Sequence, residues 1–239
     1  MVYQLGTSGW SYSEWKGRFY PEGLSQKKWL PFYAEHFSTV EINMTFYRLP
    51  KPDTLMGWLD KTPSDFMFTL KANRQITHYK KLKDVKSDLR YFYILADSLQ
   101  DRLGCILFQL PPSLTLDLDL LKSFLSILSS SHKNVIEFRH ESWFTERIYD
   151  LLREHKVTFC VVSSPKLPDT IIETAETSYF RFHGRIGWYK YNYSDDELKE
   201  WAEAIRKTEV QECFIYFNND YHAYAVRNCQ KLGEFLKKE

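Results

Sequence analysis

The chain has 239 residues, 44% hydrophobic and 26% charged, with a formal net charge of +1. That composition supports a globular core. It excludes a disordered chain and one drawn to polyanions by total charge alone.

The start, Met1 to Gly6, lacks a basic stretch followed by an apolar run. No segment approaches the roughly 18 apolar residues of a membrane span. A cytoplasmic protein without membrane contact is therefore expected. Cys105, Cys160, Cys213 and Cys229 lie far apart without ligand-like spacing, and read as reduced core thiols.

Taken in order, eight short β-like runs stand out: 3–8, 39–45, 66–71, 105–110, 134–139, 158–162, 178–183 and 212–218. Helical patterns fall between most of them. Trp29, Phe32, Tyr33 and Phe37 mark the first face. Leu55, Met56 and Leu59 mark a short second one, with Asp53 as its N-cap. Leu89, Phe92, Ala96, Leu99 and Leu103 suggest one long third helix. Leu121, Phe124, Leu125 and Leu128 give a fourth, and Ile148, Leu151 and Leu152 a fifth. Residues 168–177, between strands six and seven, are too short for a confident helix. Ser194 and Glu197 make a capping box ahead of Leu198, Trp201, Ala202 and Ile205. Ala225, Val226, Cys229, Leu232, Phe235 and Leu236 end the chain on a last helical face.

Eight strands alternating with helices predict an α/β fold, a single (β/α)₈ TIM barrel spanning 1–239 with a weak or missing helix between strands six and seven. The rival, an open doubly wound sheet, usually carries a glycine-rich phosphate turn after its first strand. Gly6-Thr7-Ser8-Gly9-Trp10 is not that turn, and no Walker pattern is present.

Alternate strand residues face opposite sides of a barrel wall. If Ile136 and Phe138 face the helices, Glu137 and Arg139 face the lumen. The same parity turns Glu41, Asn43, Thr45, Thr69, Lys71, Gln109, Arg181, His183, Tyr216 and Asn218 inward, and Val40, Ile42 and Met44 outward. The inward residues sit near carboxyl strand ends, where this fold places its sites. Glu41 and Glu137 stand against Lys71, Arg139 and Arg181, a surplus of one positive charge that invites an anionic ligand.

Several stretches resemble the YecE-like family (domain of unknown function 72). They are Gly6-Thr7-Ser8-Gly9-Trp10-Ser11-Tyr12 with Trp15, Gly17 and Phe19-Tyr20-Pro21; Val40-Glu41-Ile42-Asn43-Met44-Thr45-Phe46-Tyr47; Phe108-Gln109-Leu110-Pro111-Pro112; Glu137-Phe138-Arg139-His140 with Ser142-Trp143; Arg181-Phe182-His183-Gly184; and Tyr216-Phe217-Asn218-Asn219-Asp220. The resemblance runs nearly the whole length. It implies a TIM barrel of a cytoplasmic, mainly prokaryotic family, and no particular reaction. One departure is visible: the family often carries an Asp after strand six, where this chain reads Val162-Ser163-Ser164-Pro165.

The expected chemistry is that of an enzyme of hydrolase or isomerase type on a small anionic or ring-bearing substrate, a nucleotide or sugar phosphate. Lys71, Arg139 and Arg181 would hold the anion. Glu137 or Glu41 would move a proton, with His183 as a third catalytic candidate; the bland alternative is that each Glu only balances an arginine. Asn43, Gln109, Asn218 and Asn219 would orient the substrate, with His140 and Asp220 completing the polar set. Trp10, Tyr12, Trp15, Tyr47, Trp143 and Tyr191 would supply flat faces. Arginines beside His140, His183 and Asp220 argue against a metal, so neither metal nor cofactor is expected. The other reading is a non-catalytic nucleic-acid-binding module. It would use the basic 72–87 loop, with Arg74, Lys80, Lys81, Lys83 and Lys86, beside the aromatic rim. Oligomeric state is not legible in the sequence.

Overall fold

In the computed structural model, which describes residues 1–237, eight parallel strands form a nearly closed barrel. They are β1 (Val2–Thr7), β2 (Thr39–Ile42), β3 (Met67–Lys71), β4 (Leu103–Gln109), β5 (Lys133–Glu137), β6 (Thr158–Ser163), β7 (Thr177–Phe182) and β8 (Glu212–Phe217). Hydrogen-bonded neighbours run β1-β8-β7-β6-β5-β4-β3-β2. The helices are α1 (Trp29–Ala34), α2 (Met44–Tyr47), α3 (Pro52–Leu59), α4 (Lys86–Ala96), α5 (Leu118–Leu125), α6 (Glu146–Glu154), α7 (Asp195–Arg206) and α8 (Tyr224–Lys237). No helix joins β6 to β7, as the short apolar-poor segment there suggests.

Two cores follow from strand parity. Outward side chains such as Ile136, Phe138, Phe180 and Phe217 pack under the helices. Inward ones, including Cys105, Leu107, Val135, Cys160, Val162, Tyr179, Phe214 and Tyr216, fill the lumen. The lumen is thus mainly apolar in its lower part, apart from a hydroxyl chain through Thr39, Tyr216 and Thr69, and its buried charges gather towards the carboxyl ends. All four cysteines are free and buried.

β1 and β2 share no ladder. The Tyr33 hydroxyl bridges their seam: it accepts from Thr7 N (2.7 Å) and donates to Thr39 O (3.1 Å). Gly6 permits this approach, since a Cβ there would lie 2.0 Å from Thr39 O. Tyr33→Phe is expected to cost about 2 kcal/mol in urea unfolding, because it strands a buried donor and acceptor. A loss below about 0.5 kcal/mol would mean the seam needs no bridge.

Three local expectations are corrected. Lys51 is the N-cap of α3, with Pro52 opening the helix and Asp53 inside its first turn. The third helix does not run on to Leu103; it ends at Ala96, and the following 3₁₀ turns contain Gln100 at φ 54°. β2 stops at Ile42 because Asn43 already has helical dihedrals (φ −82°, ψ −18°), so Met44 is 45% exposed rather than packed under helices. Among the described residues, no helix is long and apolar enough to cross a membrane.

Candidate active site

Arg181 stands at the centre of the upper lumen, 1% exposed. Its Nη2 donates to Glu41 Oε1 at 2.7 Å and its Nη1 to Glu137 Oε2 at 2.6 Å. Arg139 lies just past the end of β5 and donates through Nε to Glu137 Oε1. Glu41 also accepts from Ser8 Oγ (2.8 Å) and from the Tyr179 hydroxyl (2.5 Å). Both carboxylates are fully buried and fully engaged. Burial alone would raise the Glu137 pKa, but Arg139, Arg181 and Lys71 outweigh it and hold the group below its ordinary range. Burial opposes the charge on Arg181 as well, and Glu137 and Glu41 more than restore it.

Around Gln109 the balance differs. Its Oε1 accepts from Lys71 Nζ at 2.8 Å and, at long range, from Arg181 Nη1 (3.4 Å) and Arg139 Nη2 (3.5 Å). Three cations meet on one neutral oxygen. Lys71 has no carboxylate within ion-pair distance among the described residues; its ammonium lies 4.4 Å from the Phe46 ring. Burial, reinforced by Arg181, lowers Lys71 to about 8.

His183 is fully buried. Its Nε2 lies 3.0 Å from Arg139 Nη2, a permanent donor, and so accepts; Nδ1 then carries the proton, which requires the Asn218 amide, 3.2 Å away, to turn its oxygen rather than its nitrogen to the ring. Burial first, then Arg181, Arg139 and Lys71, push its pKa far down, so the ring is neutral. Trp188 covers this corner, with its ring 5.1 Å from the Arg139 guanidinium and 5.5 Å from the His183 ring. Its loop is turned by Gly184 at φ +110°, where a Cβ would meet Gly187 O at 2.3 Å.

Asp220 borders the cluster beside Tyr12. Burial raises its pKa to about 7, against the opposing pull of Tyr12 and Arg181. Its Oδ1 is buried without a partner. Tyr12 donates to Ser8 O at 2.5 Å, and burial together with Asp220 drives its phenol up.

The structure thus brings together Glu41, Glu137, Lys71, Arg139, Arg181, Gln109, His183 and Asn218, with Tyr12 and Asp220 at the border. Other expected site residues lie outside this cluster. Trp15 is fully buried and donates to Asp220 O. Trp143 is fully buried, stacks on Phe138 at 4.8 Å and donates to Leu114 O. Asn219 clamps the strand-seven loop through Tyr191 O and Asn228. Tyr191 donates to Glu197, and His140 pairs with Ser142. Trp10 and Asn43 line a neighbouring cavity. Tyr47 is 64% exposed beside Arg74. Ser8 and Tyr179 were absent from the expected set. Parity from Arg181 places Tyr179 inward, so that signal existed; Ser8 follows Gly6, which gives no inside–outside signal. Among the described residues, no three His, Cys, Asp or Glu side chains are placed to hold a metal.

A near-closed (β/α)₈ barrel with a buried carboxylate–arginine cluster at its carboxyl mouth defines the class. Within it, the chain belongs to the family described as "Protein of unknown function DUF72", whose profile matches residues 4–239. It is similar to the UPF0759 protein YunF of Bacillus subtilis, 25% identical over all of this chain and 96% of that protein. It is also similar to the UPF0759 protein YecE of Escherichia coli K12, 31% identical over 61% of this chain and 51% of that protein. A DUF72 family protein of Thermotoga maritima has the same fold, with TM-score 0.91 and 35% identity over all of both chains.

Proposed function

We propose that the chain, read as one domain of a cytoplasmic protein, is an enzyme that binds a small phosphate-bearing substrate at the barrel mouth. The observation that carries this is the convergence of Lys71, Arg139 and Arg181 on the single neutral oxygen of Gln109. Glu41 and Glu137 are already spent on Arg181 and Arg139. An anion displacing Gln109 would meet an uncompensated positive charge in a low-dielectric pocket, where such contacts are strongest. The Trp188 ring, next to Arg139, would close over the ligand.

A group engaged as Glu137 is makes a poor proton carrier, being ionised and weakly basic. Lys71 and Asp220 are better matched to acid–base work, because both titrate near neutrality. The sequence-level assignment of proton transfer to Glu137, Glu41 and His183 therefore moves, in this reading, to those two. The nucleic-acid reading has less support: Lys80 pairs with Asp88 at 2.7 Å, and Arg74 lies 5.2 Å from the Tyr79 ring centroid.

The test is calorimetric titration with inorganic phosphate and sulfate. Arg139→Met and Lys71→Met should each weaken binding about tenfold, in keeping with about 1.5 kcal/mol per charge-assisted contact. A bound anion favours the protonated amine, so part of the wild-type affinity for sulfate should be lost as pH rises above 8 and Lys71 loses its proton. In Lys71→Met this loss above pH 8 should be absent. Unchanged affinity in both variants would end the proposal.

A further inference from the structure

The seam between β1 and β2 opens at its carboxyl end into a cavity of about 400 Å³. The loop after β1 gives it Ser8, Trp10 and Tyr12; the end of β2 gives Asn43 and Met44; α3 gives Trp58. The Trp10 and Trp58 rings meet edge to face, 5.5 Å apart at 84°. Met44 is 45% exposed here, with no helix covering it. Within this largely apolar wall, Asn43 Oδ1 is buried and has no hydrogen-bond partner. Turning the amide round offers no remedy. Nδ2 faces Ser8 O at 3.5 Å, and a carbonyl can only accept. The cavity therefore holds an acceptor in want of a donor, beside two indoles and a thioether.

We infer that this seam cavity is a subsite for a planar nitrogen heterocycle of the nucleobase type, whose edge N–H donates to Asn43 Oδ1. Indole and thioether surfaces suit flat heteroaromatic rings in any of several orientations. A sugar ring instead needs several polar partners for its hydroxyls, and the wall is too apolar for that. Ser8 connects the subsite with the charge cluster: its hydroxyl donates to Glu41, while its carbonyl accepts from Tyr12 and Asn43. Ring and anion would then belong to one nucleoside phosphate. That joining rests on the anion-binding reading above; the ring subsite by itself does not.

Calorimetry on the full chain separates the two. Adenosine, guanosine and cytidine carry an amino edge and no charge; purine riboside lacks the amino group. The amino-bearing nucleosides should bind at least fivefold more tightly than purine riboside. Asn43→Ala, with an unchanged melting profile, should abolish that preference, and Trp10→Ala should weaken all four. The wild-type comparison needs no variant and stands if Asn43→Ala does not fold. Failure of every free nucleoside to bind, or equal binding of purine riboside, overturns the subsite. Sulfate binding without nucleoside binding removes the subsite alone; nucleoside binding without sulfate binding removes the anion reading alone.

Discussion

Arg181→Met is expected to lower the unfolding free energy by about 3–5 kcal/mol, the usual cost of leaving buried charges unpaired. Met fills similar volume, so the loss should come from electrostatics rather than a cavity. The guanidinium bridges Glu41 Oε1 and Glu137 Oε2, and both carboxylates are inaccessible to water. Without it, Glu41 keeps only hydroxyl donors, and Glu137 keeps Arg139. Adding Glu41→Gln to Arg181→Met should recover a substantial part of the loss, because the group left unpaired is then neutral. Urea unfolding of the two single variants and the double variant gives the coupling directly. Simple additivity would mean that the triad is not a unit. The wild-type triad should also govern acid sensitivity. The Glu137 pKa is depressed in the folded chain, so its stabilisation is present above the unfolded carboxylate range and is lost as pH falls through the folded value.

Much of this arrangement could be read from residue order, and the parts that could not have physical reasons. Alternation in Val135 to Arg139 and in Tyr179 to His183 fixes which side chains face the lumen, because the pleat leaves no third choice. Parity therefore delivers the Glu41–Arg181–Glu137 triad without any knowledge of distance. It fails where the backbone leaves the strand: Asn43 is helical, so the outward placement of Met44 does not hold. Aromatic residues mislead for another reason. Trp15 and Trp143 sit in loops, as ligand-stacking residues often do, yet each spends its indole N–H on a backbone carbonyl and is fully buried. Composition cannot separate a packed indole from an offered one. Nor can it show that Gln109 collects three cations, which depends on how far the side chains of β3, β4 and β7 reach across the lumen. The overall charge of +1 also conceals the local surplus.

That surplus depends on one proton, and Asp220→Asn should expose it. Burial raises Asp220 to about 7, while the unfolded chain releases the same proton near the ordinary value of 3.8. The folded state thus retains a proton that the unfolded state has lost. Stability supported by this group is complete below about pH 4 and falls as pH rises towards 7. Asparagine cannot ionise and avoids the penalty. The variant should match wild type near pH 4 and exceed it above pH 7 by on the order of 4 kcal/mol, since each pK unit is worth about 1.4 kcal/mol. Urea unfolding from pH 4 to 8.5 measures this difference, and other titrating groups cancel in the comparison. The same substitution tests the mouth. With Asp220 protonated, Lys71, Arg139 and Arg181 outnumber Glu41 and Glu137 by one; once Asp220 ionises, the surplus is cancelled. Wild-type affinity for sulfate, an anion of constant charge, should therefore fall between pH 6 and 8, whereas Asp220→Asn should hold its affinity until Lys71 begins to lose its proton near pH 8. Parallel pH slopes in the two proteins would show that Asp220 does not set the charge that an incoming anion meets.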